Sequence, residues 1–305
     1  MSLLMKRISL VWLLLLSPIA PAKDFLAQFP VRRQTEHFDF RCKRDFQSIA
    51  ETARFADGFV RLLKRDFFKA EFDYPIRVLV LEDRDKFKEF LSREFHIQDP
   101  PNFGIYLPDN KLFATYEGSG LGTFAHEILH PLVERNLRSR PLWAVEGIPT
   151  FFEKFYGYWK GDDLVICWGF QNPWRIAQLG TNLTNLDLKE IISDPERSVH
   201  FSVVERNESN LRMASTFLWE QGRFRRFLRL IQTNDKAGYG SHFEAAMGMP
   251  LDKIVPLWRN YLRVVAERRA AILSLPQSAV FDSESAFQDF AKVHAISQDQ
   301  VKQRD

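Results

Sequence analysis

The feature that most constrains this chain is the five-residue run His126-Glu127-Ile128-Leu129-His130. It lies in a stretch, Gly122 to Leu137, whose apolar spacing predicts a helix. Residues four apart share a helical face, so both imidazoles reach one metal ion. Glu127 stands beside the first imidazole, in reach of a metal-bound water as general base. A zinc site of this kind needs a third protein ligand and one open position. The fold must therefore bring a second segment against this helix.

That segment is expected at Glu146, sixteen residues beyond His130, in Trp143-Ala144-Val145-Glu146-Gly147. Glu134 competes as third ligand, but it is eight residues from His126, about 12 Å along a helix axis, too far for one ion. Glu153 follows Glu146 by two helical turns and reads either as an acceptor that fixes one imidazole or as a solvated helix charge. Pro131 directly follows His130, removes one helical hydrogen bond and disfavours helical geometry at His130, so a kink is expected there. Pro149 fits the first turn of a new helix.

The pattern His126-Glu127-x-x-His130, then Trp143-x-x-Glu146-Gly147 and Glu153, resembles the gluzincin metallopeptidases of the peptidase MA-like clan. The flanks TEHFDFRC and PIRVLVLEDRDKFKEFL, and later FLWEQGRFRRFLRLI and FEAAMGMPLDKIVPLWRNYL, are similar to the openings and closing helices of secreted bacterial gluzincin-like proteins. The resemblance covers most of residues 35–265. It implies a zincin-like α+β fold, in which an edge strand of the sheet lines the cleft and pairs with an extended peptide; Lys111–Tyr116 is the candidate strand. It also implies one Zn2+ per chain, held by His126, His130 and Glu146, and hydrolysis of a peptide or protein substrate with Glu127 as general base.

In that group a Tyr that stabilises the oxyanion is expected just before the helix near Leu211, where this chain reads Asn210-Leu211-Arg212-Met213. Arg212 is one electrostatic substitute, and Tyr156, Tyr239, His200 and His242 are others. Loss of such a donor costs roughly 10²–10³ in rate. The alternative to a peptidase is therefore a zincin-fold binding or scaffold protein at the cell envelope that keeps the metal without efficient turnover.

Residues 1–22 read as a cleavable export signal: Lys6 and Arg7, the apolar run Ile8 to Leu16, then Ala20-Pro21-Ala22. The run is too short to span a bilayer, so a secreted or periplasmic location is expected, without stable membrane insertion after cleavage. Without Lys6 and Arg7 the 42 basic residues nearly balance the 39 acidic ones, which removes any charge argument for a nucleic-acid partner. Oxidising surroundings permit a Cys42–Cys167 disulfide, while both contexts read as buried strands. Nothing in the sequence fixes the oligomeric state.

One metallopeptidase domain is expected over residues 23–275, its sheet part at 23–121 and its helical part at 122–275, with a polar tail at 276–305. Strands are predicted at Thr35–Cys42, Ile76–Leu81, Gly104–Leu107, Lys111–Tyr116 and Asp163–Trp168. Helices are predicted at Phe46–Phe68, Asp83–Phe95, Gly122–Leu137, Ile148–Tyr158, Leu211–Trp219, Arg223–Thr233 and Asp252–Arg269, with one more near Ser283–Val293. The Gly118-Ser119-Gly120-Leu121-Gly122 run fits no phosphate-binding pattern and reads as a connection beside the site. The basic run Arg223 to Arg229 reads as a helix with Phe and Leu buried and Arg solvated.

Overall fold

The structure is a computed structural model that describes residues 23–45, 48–137, 143–193, 201–233, 238–294 and 296. The expected export signal lies outside the described residues. Among these residues no helix is long and apolar enough to cross a membrane.

The architecture is α+β. Its first half comprises α1 (Lys23–Leu26), β1 (Val31–Gln34), β2 (Phe38–Cys42), α2 (Ile49–Asp66), β3 (Ile76–Leu81), α3 (Arg84–Phe95), β4 (Gly104–Leu107) and β5 (Leu112–Tyr116). The strands form one mixed sheet in the order β1-β2-β3-β5-β4, with β2, β3 and β5 parallel and both outer strands antiparallel to their neighbours. Strand β3 is apolar at nearly every position because both its faces are covered. Val78 and Val80 meet Phe55, Phe59 and Phe124 in the main core, while Leu79 and Leu81 meet Phe87, Phe90 and Leu91 beneath α3.

The edge beside the helical half is β4, not the expected Lys111–Tyr116. The hairpin forms at a 3-10 turn over Pro108–Asn110, but β5 pairs on its other side with β3, which leaves β4 outermost. Strand β1 was not anticipated, because Val-Arg-Arg-Gln is mostly exposed and carries no apolar alternation.

The second half begins with α4 (Leu121–Asn136). A π turn (Trp143–Gly147) then leads directly into α5 (Ile148–Phe152), followed by the hairpin β6 (Tyr156–Lys160) and β7 (Asp163–Cys167). The helix expected to run to Tyr158 therefore stops at Phe152; the aromatic residues Tyr156, Tyr158 and Trp159 suit a pleated surface instead. Next come α6 (Pro173–Leu179), α7 (Leu188–Ser193), α8 (Phe201–Glu220), α9 (Phe224–Thr233), α10 (Tyr239–Met247), α11 (Leu251–Glu267) and α12 (Arg269–Leu273). In α9 the side chains of Phe224, Phe227, Leu228 and Ile231 are buried, and Arg226 and Arg229 are exposed. Cys42 and Cys167 are both buried free thiols.

The expected polar tail is instead a packed element over its described part. Strand β8 (Ala279–Phe281) adds in parallel to β6, and α13 (Glu284–Val293) covers it with Phe287 and Ala291 buried against Tyr156 and Phe170. Apolar residues spaced among many polar ones give a weak hydropathy signal, yet they suffice for one face of a short helix and strand.

Candidate metal centre

Helix α4 carries the first two candidate ligands, His126 and His130. Pro131 has no N–H to give the Glu127 carbonyl, yet the helix continues through it to Asn136. The expected kink does not separate the imidazoles: the His126 and His130 rings lie 5.1 Å apart at 70°. Donor atoms of His126, Glu127 and His130 all fall within 4.8 Å of one another.

The π turn brings in the third candidate. Glu146 Oε2 stands 3.4 Å from His126 Nε2. A direct N–H···O bond is shorter, near about 2.9 Å. Two ligands at about 2.05 Å from one tetrahedral ion stand roughly 3.3–3.4 Å apart, so the spacing matches atoms that share an ion. Glu134 lines the cleft beside the Tyr106 hydroxyl and is not one of the three residues whose donor atoms cluster.

Behind His126, Glu153 Oε2 lies 3.4 Å from Nδ1. Glu153 is no solvated charge. Its carboxylate accepts hydrogen bonds from Asn172 Nδ2 at 2.7 Å, Arg175 Nε at 2.8 Å and Arg175 Nη2 at 3.0 Å. Arg175 in turn contacts Glu208 Oε2 at 2.5 Å through Nη1. Helix α4 approaches this group so closely that a Cβ on Gly122 would lie 2.5 Å from the Glu153 carbonyl oxygen.

The charges follow from this packing. Burial works against a proton on His126, but Glu146 and Glu153 outweigh it and raise its pKa well above the ordinary value. Burial lowers His130 to about 4. Burial also opposes ionisation of Glu146, yet His130 and His126 overcome it and hold the carboxyl below its usual range. Glu127 is pushed up to about 8 by burial, with His126 opposing and Glu146 and Glu208 reinforcing. Its Oε2 is buried without a hydrogen-bond partner. Two imidazoles, a carboxylate and an orphaned carboxylate oxygen beside them fit a zinc ion with one open coordination position.

The site opens into a cleft of about 760 Å³. One wall is β4, and Tyr106 from that strand stacks on the His130 ring at 8°. The far wall comes from Leu275 to Ser278, just before β8. Lys154 Nζ donates to the Pro276 carbonyl and to the Tyr156 hydroxyl at 2.8 Å. Tyr156 donates to the same carbonyl at 2.8 Å, and Ser278 Oγ donates to the Glu153 carbonyl at 2.8 Å. Burial, with Arg212 nearby, lowers the Lys154 amine to about 7.

Of the expected oxyanion candidates, Arg212, Tyr156 and His242 are described, and none of them lines this cleft. Arg212 is fully buried and donates to the carbonyls of Phe151 at 3.0 Å and Phe170 at 2.5 Å. Tyr156 is taken up by Pro276, and His242 is buried away from the lining. His200 and the Tyr239 side chain lie outside the described residues.

Arg175, Asn172, Glu208 and Tyr106 line the cleft, and none was singled out from the sequence. A signal existed for two of them: Asn172 caps α6 with Pro173 at its first turn, a helix start that would have placed Arg175 one turn in. Glu208 was missed because α8 starts ten residues before Leu211. No family model matches the chain, and no curated protein is significantly similar to it.

Proposed function

We propose that the chain is an exported zinc-dependent hydrolase of peptide bonds with a zincin-like fold. The observation that carries this reading is the 3.4 Å separation of His126 Nε2 and Glu146 Oε2, with His130 and Glu127 alongside. His126, His130 and Glu146 would hold the ion. Bound zinc supplies Lewis-acid polarisation of the scissile carbonyl and of the attacking water. Glu127, facing the cleft with one oxygen unpaired, accepts the proton of that water and returns it to the leaving amine. Glu153 and Arg175 keep the His126 ring turned toward Glu146. The open side of β4 offers backbone groups to an extended peptide substrate.

The test is zinc stoichiometry by elemental mass spectrometry on residues 23–305, together with hydrolysis of a denatured-protein substrate. About one zinc per chain and hydrolysis that Glu127→Ala abolishes without loss of zinc are the expected results. Absence of zinc from folded protein offered the metal sinks the proposal.

A second reading, a metal-retaining binding or scaffold protein, draws support from one observation. Arg212, Tyr156 and His242 are all turned away from the cleft, so no expected oxyanion donor serves it among the described residues. Stoichiometric zinc with no turnover in the unsubstituted chain favours that reading.

A further inference from the structure

We infer that the Phe103–Trp174 pair is a subsite for one bulky apolar side chain of an extended polypeptide. The inference deepens the hydrolase reading and rests on it for the identity of the ligand class. Among the described residues, five large apolar side chains are markedly exposed; Phe103 at 40% and Trp174 at 46% are two of them. They touch each other edge-to-face, with centroids 5.7 Å apart at 83°, and both line the cleft.

The pair is rigidly mounted although its rings face solvent. Phe103 immediately precedes β4, and its carbonyl accepts a hydrogen bond from Thr115 Oγ1 at 2.8 Å. Trp174 stands in the first turn of α6, its backbone N–H donating to Asn172 Oδ1 at 3.1 Å. The same Asn172 holds Glu153, and the next residue, Arg175, completes that grip. The aromatic pair is thus tied through one short helix to the carboxylate that faces His126.

Its position follows on from the sheet edge. A strand added along β4 carries side chains to one face at every second residue, about 6.6–7 Å apart. Phe103 continues that edge by one residue, so one such side chain meets the two rings. Pro101 and Pro173, which also line the cleft, lie close to them in sequence. An aromatic or large aliphatic side chain gains apolar contact with the two exposed rings, whereas a charged one would give up water for them.

The test is binding, read without turnover. Zinc-loaded full-length Glu127→Gln protein is titrated with capped Ala-Gly hexapeptides that carry one Phe at successive positions, and binding is followed by calorimetry. One position is expected to bind at least about tenfold tighter than the all-Ala-Gly peptide. Adding Trp174→Ala or Phe103→Ala is expected to remove that preference while zinc content stays unchanged. Equal affinity for all the peptides overturns the subsite. A Trp174→Ala change that strengthens every peptide alike also overturns it, because the pair would then be a gate. Positional preference in a chain that hydrolyses no peptide leaves the subsite standing and removes the hydrolase reading.

Discussion

Glu153 Oε2 lies 3.4 Å from Nδ1 of His126, the ring nitrogen opposite the one that faces Glu146. Metal-bound imidazoles commonly give their second ring N–H to a carboxylate, which fixes tautomer and orientation and strengthens the ligand, and Glu153 is the carboxylate placed to take it. Glu153→Gln is therefore expected to weaken zinc binding by roughly 10–100-fold, measured by competition with a chelator of known affinity. Unchanged affinity would mean that Glu153 serves only the buried ion pairs.

Arg175 is enclosed between Glu153 and Glu208, and both partners line the same cleft. Removing it leaves two carboxylates in a low-dielectric setting without their cation. Arg175→Met is expected to cost about 3–5 kcal/mol of stability, read from urea denaturation. A loss below about 1 kcal/mol would place this network in the range of exposed pairs.

Gly104 on β4 leaves room for the Glu127 carboxylate, the proposed general base. A Cβ there would stand 2.7 Å from Thr123 Cγ2 and 3.1 Å from Glu127 Oε1. Gly104→Ala is expected to shift the Glu127 carboxylate and to lower turnover by roughly 10–100-fold, with zinc content retained. Full activity in this variant would show that the carboxylate tolerates the displacement.

Zinc uptake is expected to release protons. Without metal, His126 keeps its proton to a higher pH than an ordinary histidine, because Glu146 and Glu153 outweigh burial. A ligating ring must be neutral, so binding near neutral pH expels about one proton, and apparent affinity climbs as pH rises through the raised value. Calorimetry in two buffers of different ionisation enthalpy measures the release; identical heats in both contradict it.

Far from the cleft, His37 Nδ1 meets Asp57 at 3.0 Å and Nε2 meets Glu71 at 3.3 Å. Burial lowers the His37 pKa, but Asp57, Glu36 and Glu71 together raise it above the ordinary value. Its stabilising contribution is full below about pH 6.5 and is lost as pH rises through the raised folded pKa. Asp57, for which burial is outweighed by hydrogen bonds from His37, is lowered, so its contribution fades as pH falls through that value. His37→Gln should flatten the stability loss that sets in as pH rises above about 6.5. An unchanged slope in pH-dependent denaturation refutes this.

Much of this architecture was legible in the sequence because it is periodic. The His126–His130 spacing, the β-branched run of β3 and the Pro108-Asp109-Asn110 turn each encode local geometry directly. What was hidden depends on long-range pairing. Nothing local in Leu-Phe-Ala-Thr-Tyr says that β5 has a neighbour on both sides, so the edge was assigned one strand inward. Glu146 was expected near the two histidines from its distance along the chain, but the π turn that presents it leaves no periodic signature. Arg175 and Glu208 sit in helices whose starts were not read there, and their value lies in meeting Glu153, far away in sequence.

The wall built from Leu275 to Ser278 bears on the order in which the site is made. Lys154 and the Pro276 carbonyl it anchors are separated by 122 residues. A ribosome working from the N-terminus delivers His126, His130, Glu146 and Glu153 well before Pro276. On the proposed metal reading, capture of the ion and enclosure of the cleft would be separate in time: a nascent chain has His126, His130, Glu146 and Glu153 before the Leu275–Ser278 wall exists. The cleft is walled on that side only once β8 has paired with β6.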